Sequence, residues 1–594
     1  MTTTHPPFSR LLSAARMTQE ESAPEDEPTG PKPIDGLFIL PNDHCSFTDA
    51  ARVIFPLIAK TRTMFVRGLV VVEPVESEQG TSLSIVKAED FRSRLEKYGR
   101  PLMAWRSDEP KGGLVLVPKR CSEDTARALL ATLECRDILP RIALVCAAPV
   151  LVEVGDELEV VSSGYTPSAG GILVTRGTQP EQMPTDEAVA AIRSLLTDFD
   201  FQSPGDESRA LAAILTPAIK MGRLIRGFYP VDVVEADASQ AGKGYLHRVI
   251  RAIYDDPGYC IARKDGGVGG TDESLCSALI SGRPFIELDN LRGKLDSQFL
   301  EMALTRDGAV AVRVPHRGEI QVDASRVTFQ ATSNGLEATR DLANRSSLVR
   351  IRKRPANYQF KAFPEGDLLA HVRVHQPKFI GAVFAVVTEW HRRRRPRSDH
   401  ANHDFREWAT SLDWIVQELF GAAPLMDGHS DAQERIGNPA LSWLRSVALA
   451  VVQSHPDGAT LRANEIYDLC LDEQIELPGL RTNEAEQGIK YTGRLLAKCF
   501  KDKNRLTVDA VEVEKNEFTE FDSVNRKDRT RRSYRFAPCA LCALSLELRE
   551  KGGYFPGSCR FRAHKAQGAE SPIPGPGQGH LGLPEEPSKP GIPD

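Results

Sequence analysis

The segment VDVVEADASQAGKGYLHRVIRAIY carries the residues best suited to chemistry: an apolar strand (Val231, Val233, Val234), a loop ending in Gly242-Lys243, and then a helical run. A lysine placed where unpaired backbone N–H groups and a helix N-terminus converge suits a polyphosphate. Open donors, the positive end of the helix dipole and a mobile ammonium then act on the same anion. Gly242, Lys243, Gly244 and Tyr245 are the expected cofactor contacts, with ATP as the cofactor. The match to the phosphate-loop pattern GxxxxGK[ST] is incomplete. Asp237 stands at the first glycine, and Gly244 stands where a hydroxyl would ligate Mg²⁺. A Gly-Lys pair is also cheap in a chain with 45 glycines, and Gly293-Lys294 is another.

The order of the downstream segments strengthens the reading. RPFIELDNL is an apolar strand ending in Glu287 and Asp289, whose period-two spacing places both carboxylates on one face. Asp289 is expected to hold Mg²⁺ and Glu287 to orient the attacking water, with Asn290 where many such ATPases carry a catalytic glutamate. The plainer alternative is a strand end that merely exposes two acids. SRVTFQATSNG closes on Asn334, which reads either as a sensor of the γ-phosphate or as an ordinary Asn-Gly turn. DLANRSSLVRIR offers Arg345 as an arginine finger acting on a neighbouring subunit, with Arg340 and Arg350 as substitutes; each also reads as a surface arginine.

These groups need a scaffold that brings strand ends together, and residues 181–360 repeat strand, loop and helix in the order of an α/β sheet. The expected fold class is an α/β P-loop (AAA+-like) ATPase core with a mixed α+β N-terminal domain over 36–180 and a helical lid region over 361–430. A C-terminal winged-helix-like domain is expected over 438–537, from three helical runs followed by RLTVDAVEVEK and RRSYRF as strands. Residues 1–35 and 538–594 are Pro-rich and polar and read as disordered tails.

At 594 residues, 41% hydrophobic and 26% charged, the composition is that of a globular multidomain protein, without an apolar run of membrane-spanning length. Eleven scattered cysteines and an N-terminus without an apolar signal region point to the cytoplasm and to no membrane partner. A net charge of −6 leaves any DNA binding to local clusters. HRRRRPR (His391 to Arg397) is one, and it also reads as a solvated loop. A recognition helix would carry Lys490, Arg494 and Lys498, and a wing Arg526, Lys527, Arg529, Arg531 and Arg532; the same module could instead serve protein contacts. Cys539, Cys542, Cys559 and His564 have zinc-ligand spacing, although they lie in a stretch that reads as tail.

ADASQAGKG, IELDN, TSNG and DLANRSSLVRIR together resemble the ATPase core of primase-helicase proteins of phages and mobile elements, with superfamily-three-like helicase character. The similarity spans roughly residues 85 to 425 and is most specific over 230 to 355. It implies a homo-oligomeric ATPase, such as a hexameric ring, that separates or remodels DNA during replication of such an element. Family members usually have Ser or Thr where this chain has Gly244, a departure that adenylate kinases share. No primase motif accompanies the N-terminal region. Two readings therefore stand: a DNA-stimulated ATPase and helicase or translocase, or a catalytically impaired, nucleotide-binding or nucleotide-independent DNA-binding protein. An adenylate-kinase-like phosphotransferase lacks the second nucleotide motif it would need.

Overall fold

The computed structural model describes residues 36–538 except 79, 109–112, 237–240, 262–269, 292–293, 315–317, 334–335, 400, 481–483, 502, 509–510 and 523–526. They fall into two compact units. One runs to Val447 and resumes over Ala463–Asp502; the other comprises Ala448–Arg462 and the chain from Lys503.

The first unit is centred on a six-stranded sheet. Its strands are β1 (Asp200–Phe201), β2 (Val231–Ala236), β3 (Tyr259–Ile261), β4 (Phe285–Leu291), β5 (Thr328–Ser333) and β6 (Ser346–Arg352), in the order β1-β6-β2-β5-β4-β3. All neighbours are parallel except β1, which is antiparallel to β6 at the edge. Every residue of β2 and β5 is buried. Parallel sheets carry near-continuous apolar strands because their crossover connections cover them.

The connecting helices are α1 (Pro204–Met221), α2 (Lys243–Ile253), α3 (Thr271–Ile280), α4 (Gln298–Thr305) and α5 (Arg340–Asn344). Ser203 caps α1 by accepting from the Asp206 N–H at 3.2 Å, and Pro204 occupies its first turn. In α2, Leu246, Val249, Ile250 and Ile253 recur at helical spacing and are buried, which seats the helix on the sheet. Beyond β6 come a 353–367 segment and then α6 (Leu368–Val374), α7 (Gln376–Arg392), α8 (Arg406–Glu418) and α9 (His429–Gly437).

The N-terminal part of this unit mixes short sheets with helices such as Phe47–Thr61 and Ala88–Lys97, around a separate core that includes Phe38, Ile54, Phe55, Phe91 and Leu129. Buried Arg67 ties this part to the region of the six-stranded sheet by donating to the Leu279 carbonyl of α3 at 2.6 Å.

The second unit holds a four-stranded antiparallel sheet of Ala459–Leu461, Arg505–Val508, Val511–Asp522 and Lys527–Pro538. The boundary between units thus runs through the 438–537 span read from sequence as one module, because the helices Ala463–Asp472 and Ala485–Cys499 belong to the first unit. No helix among the described residues is long and apolar enough to cross a membrane.

Candidate nucleotide site

In chain order, β2 leads through α2 to β3 at one edge of the sheet, whereas β5 leads through α5 to β6 on the far side of β2. The carboxyl ends of the neighbouring strands β2 and β5 are therefore where connections diverge, the place at which open α/β sheets hold ligands. Gly242 and Lys243 lie there. Gly242 caps α2 with φ at +98°, a left-handed conformation that disfavours any side chain, and its carbonyl accepts from the Leu246 N–H at 2.9 Å. Lys243 is the first residue of the helix and half-buried. A Cβ added at Gly244 would meet no atom within 4 Å, so a hydroxyl-bearing side chain fits the space there. Asp237 lies outside the described residues.

Below this helix end lies a buried polar chain. Asp232 on β2 approaches His247 of α2 at 3.2 Å, His247 approaches Glu287 of β4 at 3.8 Å, and Glu287 pairs with Arg251 of α2 at 2.8 Å. Arg251 also donates to Gln330 on β5 at 3.0 Å. Burial works against the charge on Glu287, yet the neighbouring His247 and Arg251 hold its pKa down to about 2. Burial likewise opposes a charged His247, and Asp232 and Glu287 outweigh it, so its pKa lies above the ordinary histidine value. Sequence reasoning gave Glu287 to the attacking water. The structure places this buried carboxylate between β4 and α2, paired with Arg251 and facing His247.

Asp289, two residues further along β4, is exposed at the strand end. Two strand residues advance about 6.6 Å and one helical turn about 5.4 Å, so moving from Glu287 to Asp289 parallels moving from His247 back to Lys243. The Asp289 Oδ1 accepts from the Thr332 hydroxyl of β5 at 2.7 Å, and Thr332 in turn accepts from the Asn290 N–H at 2.7 Å. Asn290 has φ at +50°, and the β4–β5 register shifts between Leu288 and Leu291. The strand thus turns aside after Asp289. Thr332 opens the TSNG run, two residues before Asn334. Asn334 itself lies outside the described residues.

The arginine candidates separate clearly. Arg345 caps α5, pairs with Asp341 at 3.0 Å and donates to the Glu301 carbonyl at 3.1 Å within its own chain. Arg350 pairs with buried Asp206 at 3.1 Å, beside the Arg209–Asp206 pair at 2.7 Å. Arg340 is exposed. An arginine that the sequence did not flag, Arg435 of α9, is bonded to Glu235 near the end of β2, which also accepts from the Leu336 N–H at 2.9 Å beyond β5. Arg435 and Glu235 thereby bridge the two strand ends that flank the site.

A cavity of about 570 Å³ adjoins Gly242 and Tyr245, within the range of small-molecule sites. Phe199 and Phe360 supply apolar wall, and both cations (Lys353, Arg354, Lys361) and acids (Asp198, Asp200, Asp367) line the same space. Arg354 is fixed by donating to the Asp198 and Phe199 carbonyls at 3.1 and 2.8 Å, and it stacks 4.4 Å from the Tyr358 ring centroid. Tyr245 anchors the other wall, its hydroxyl accepting from the Leu369 N–H at 3.0 Å. A cavity with aromatic and mixed-charge walls beside a helix N-terminus has room and chemistry for a nucleoside at one end and phosphates at the helix start.

Among the nucleic-acid candidates, Lys490, Arg494 and Lys498 recur every four residues on the helix Ala485–Cys499 and are exposed, with Lys490 paired to Glu486 at 2.6 Å. Arg531 and Arg532 lie exposed on the long hairpin, with Arg532 paired to Glu517 at 2.8 Å. Arg526 and the side chains of Lys527 and Arg529 lie outside the described residues, as do Cys539, Cys542, Cys559 and His564. The 391–397 cluster is largely spent on neighbouring acids: Arg392 and Arg393 on Glu389, Arg395 on Glu153, and Arg397 on Glu407.

No protein-family model matches the chain, and no curated protein matches it in sequence. Solved structures to which it is similar include one titled "SCCmec type IV Cch - active helicase", at 12% identity and a TM-score of 0.31, over 80% of this chain and 92% of that one. Another is JCV helicase with a bound small molecule, at 11% identity and a TM-score of 0.19, over 43% of this chain and 73% of that one. Superpositions this loose assign neither fold nor function.

Proposed function

We propose that the first unit binds ATP with Mg²⁺ and hydrolyses it, and that the chain is a DNA helicase or translocase acting as a homo-oligomer in the replication of a phage or mobile element. The observation that carries the nucleotide part is one juxtaposition. The Gly242–Lys243 helix start stands at the divergence of β2 and β5, above the strand carrying Asp289 and beside a cavity walled by aromatic and charged side chains. Lys243 and the open N–H groups of α2 would meet the phosphates, Asp289 with Thr332 would hold the metal, and the Phe199, Tyr245 and Arg354 walls would take the nucleoside. Bound Mg²⁺ would neutralise charge developing on the transferred phosphoryl group. Glu287 serves by fixing α2, so Lys243 is presented at a constant height over β4. DNA contact is assigned to the exposed Lys490–Arg494–Lys498 row and to the basic hairpin, whose strength would fall steeply with added salt.

Gly244 and Asn290 favour a second reading, in which nucleotide is bound and turned over poorly or not at all. Steady-state ATP hydrolysis by the full chain, with and without single-stranded DNA, separates the two. The first reading expects Mg²⁺-dependent turnover that DNA accelerates and that Lys243→Ala lowers by about 100-fold or more. DNA-stimulated turnover unchanged by that substitution would remove the site from the reading.

A further inference from the structure

Glu365, His371 and His375 form a cluster on the segment that leads out of the cavity wall. Two local devices place them. Phe363 and Gly366 close a tight turn, with the Gly366 N–H donating to the Phe363 carbonyl at 3.0 Å, and Glu365 projects from it. Asp367 then caps α6 by accepting from the Ala370 N–H at 2.7 Å, which starts the helix so that His371 and His375, four residues apart, rise on one face. The two rings lie 4.6 Å apart, and Phe363 packs on the His371 ring at 4.8 Å. Both imidazoles aim a nitrogen at the one carboxylate: His371 Nδ1 is 3.0 Å from Oε2, and His375 Nε2 is 2.8 Å from Oε1. One ligand atom from each residue falls within 4.8 Å of the others. Tetrahedral zinc with ligands near 2.05 Å needs edges of about 3.3 Å, so small side-chain rotations suffice to admit an ion between them.

We propose that Glu365, His371 and His375 bind a divalent transition-metal ion of the zinc class, with a fourth, solvent-facing position left for water. Two imidazoles select zinc, nickel or cobalt over magnesium or calcium, which take oxygen ligands. The cluster is only partly buried, with side-chain exposures of 17% for Glu365, 26% for His371 and 43% for His375, so an ion can enter from solvent. Phe363, Gly366, Asp367 and Leu368 line the 570 Å³ cavity, so the ion would pin the turn that forms this wall to the first turns of α6. Binding itself does not depend on what the cavity holds. In the metal-free chain the same groups hydrogen-bond to one another, and a bound ion would replace those bonds, each neutral imidazole offering its facing nitrogen while its proton sits on the other ring nitrogen.

The test is metal titration of the full-length chain after chelator treatment, using Co²⁺ by visible absorption and Zn²⁺ by calorimetry, beside His375→Asn and the double variant H371N/H375N. The wild type is expected to bind one more ion per chain, in the micromolar range or tighter, than the double variant. Its cobalt spectrum is expected to show d–d bands without the thiolate charge-transfer absorption that a cysteine site gives. His375→Asn, at the most exposed ligand, is expected to weaken that ion by about tenfold or more, and Zn²⁺ should raise the melting temperature of the wild type but not of the double variant. Equal stoichiometry and affinity in wild type and double variant overturn the proposal, as does a cobalt spectrum dominated by thiolate ligation. A double variant that fails to fold leaves the decision to His375→Asn and the cobalt spectrum.

Discussion

Two carboxylates two residues apart on β4 should respond to mutation in opposite ways. Glu287 has a side chain 8% exposed and faces an Arg251 side chain 4% exposed, so Glu287→Ala leaves a buried guanidinium that keeps its bond to Gln330 but loses its counter-charge. Breaking a buried pair in this way costs about 3–5 kcal/mol, a large part of the ~5–15 kcal/mol that holds a typical domain folded. Asp289→Asn keeps the shape and an oxygen able to accept from Thr332 at an exposed position. Its cost should stay within about 0.5 kcal/mol, while Mg²⁺-dependent hydrolysis is lost. The assay is urea unfolding followed by tryptophan fluorescence. Trp105, Trp390, Trp408, Trp414 and Trp443 all precede Val447, so the signal reports on the first unit alone. A double variant, Glu287→Leu with Arg251→Met, should recover most of the loss, because replacing both charges with apolar groups removes the unpaired ion. If Glu287→Ala unfolds within about 1 kcal/mol of wild type and Glu287→Gln nonetheless abolishes hydrolysis, the positioning role is wrong and Glu287 acts on the water after all.

Three further outcomes are expected from the same geometry. Gly244→Thr has open space for its side chain and should raise Mg²⁺-dependent turnover about tenfold, which needs only ~1.4 kcal/mol of added transition-state stabilisation; steady-state kinetics at saturating ATP reads it. Gly242→Ala must hold φ at +98° with a Cβ placed 3.5 Å from the Phe199 ring, and it should cost about 1–2 kcal/mol together with weaker nucleotide binding, read by melting temperature and a fluorescent ATP analogue. Glu287 is held down to about 2 in the folded chain, so its contribution is fully present above its unfolded pKa of about 4.3 and fades as pH falls toward 2. Unfolding of the wild type should therefore grow easier across that window, and Glu287→Gln should flatten this part of the profile.

What could be read in the sequence tracks how local each determinant is. The apolar runs of β2 and β4 and the Gly-Lys helix start depend on neighbours in the chain, and the structure puts strands and a helix there. Period-two spacing also identified Glu287 and Asp289 as a pair, but not their depth. Depth is set by where β5 ends beside β4, a long-range register that leaves Glu287 opposite Gln330 in the interior. A signal for the difference was present. His247 and Arg251, four residues apart, interrupt the otherwise apolar stripe of α2, and polar groups on a buried face require buried partners. The 353–367 wall has no periodicity to read, and Arg435 reaches Glu235 across a separation that only the fold creates. The division of the chain near Val447 was likewise hidden, since three helices followed by two strands look alike whether or not they form one module.

The two functional readings differ in which half of the site is complete. On the proposed reading, the parts that would hold a ground-state nucleotide are a cavity with aromatic and charged walls, a glycine that would let the helix start approach phosphates, and a lysine at that start. Parts that act mainly in the transition state are thinner. The second metal contact is missing its hydroxyl at Gly244, the residue after Asp289 is Asn290 rather than an acid, and the nearby Glu287 is committed to Arg251. Interactions equal in ground and transition states tighten binding without speeding the step, whereas only those gained in the transition state raise kcat. The chain should therefore bind ATP in the ordinary micromolar range yet turn it over slowly in isolation. A large DNA-dependent rise in kcat, with little change in ATP affinity, would mean that the missing transition-state groups arrive when DNA or a second subunit is engaged. Slow turnover that neither DNA nor protein concentration alters would favour the nucleotide-binding, catalytically impaired protein.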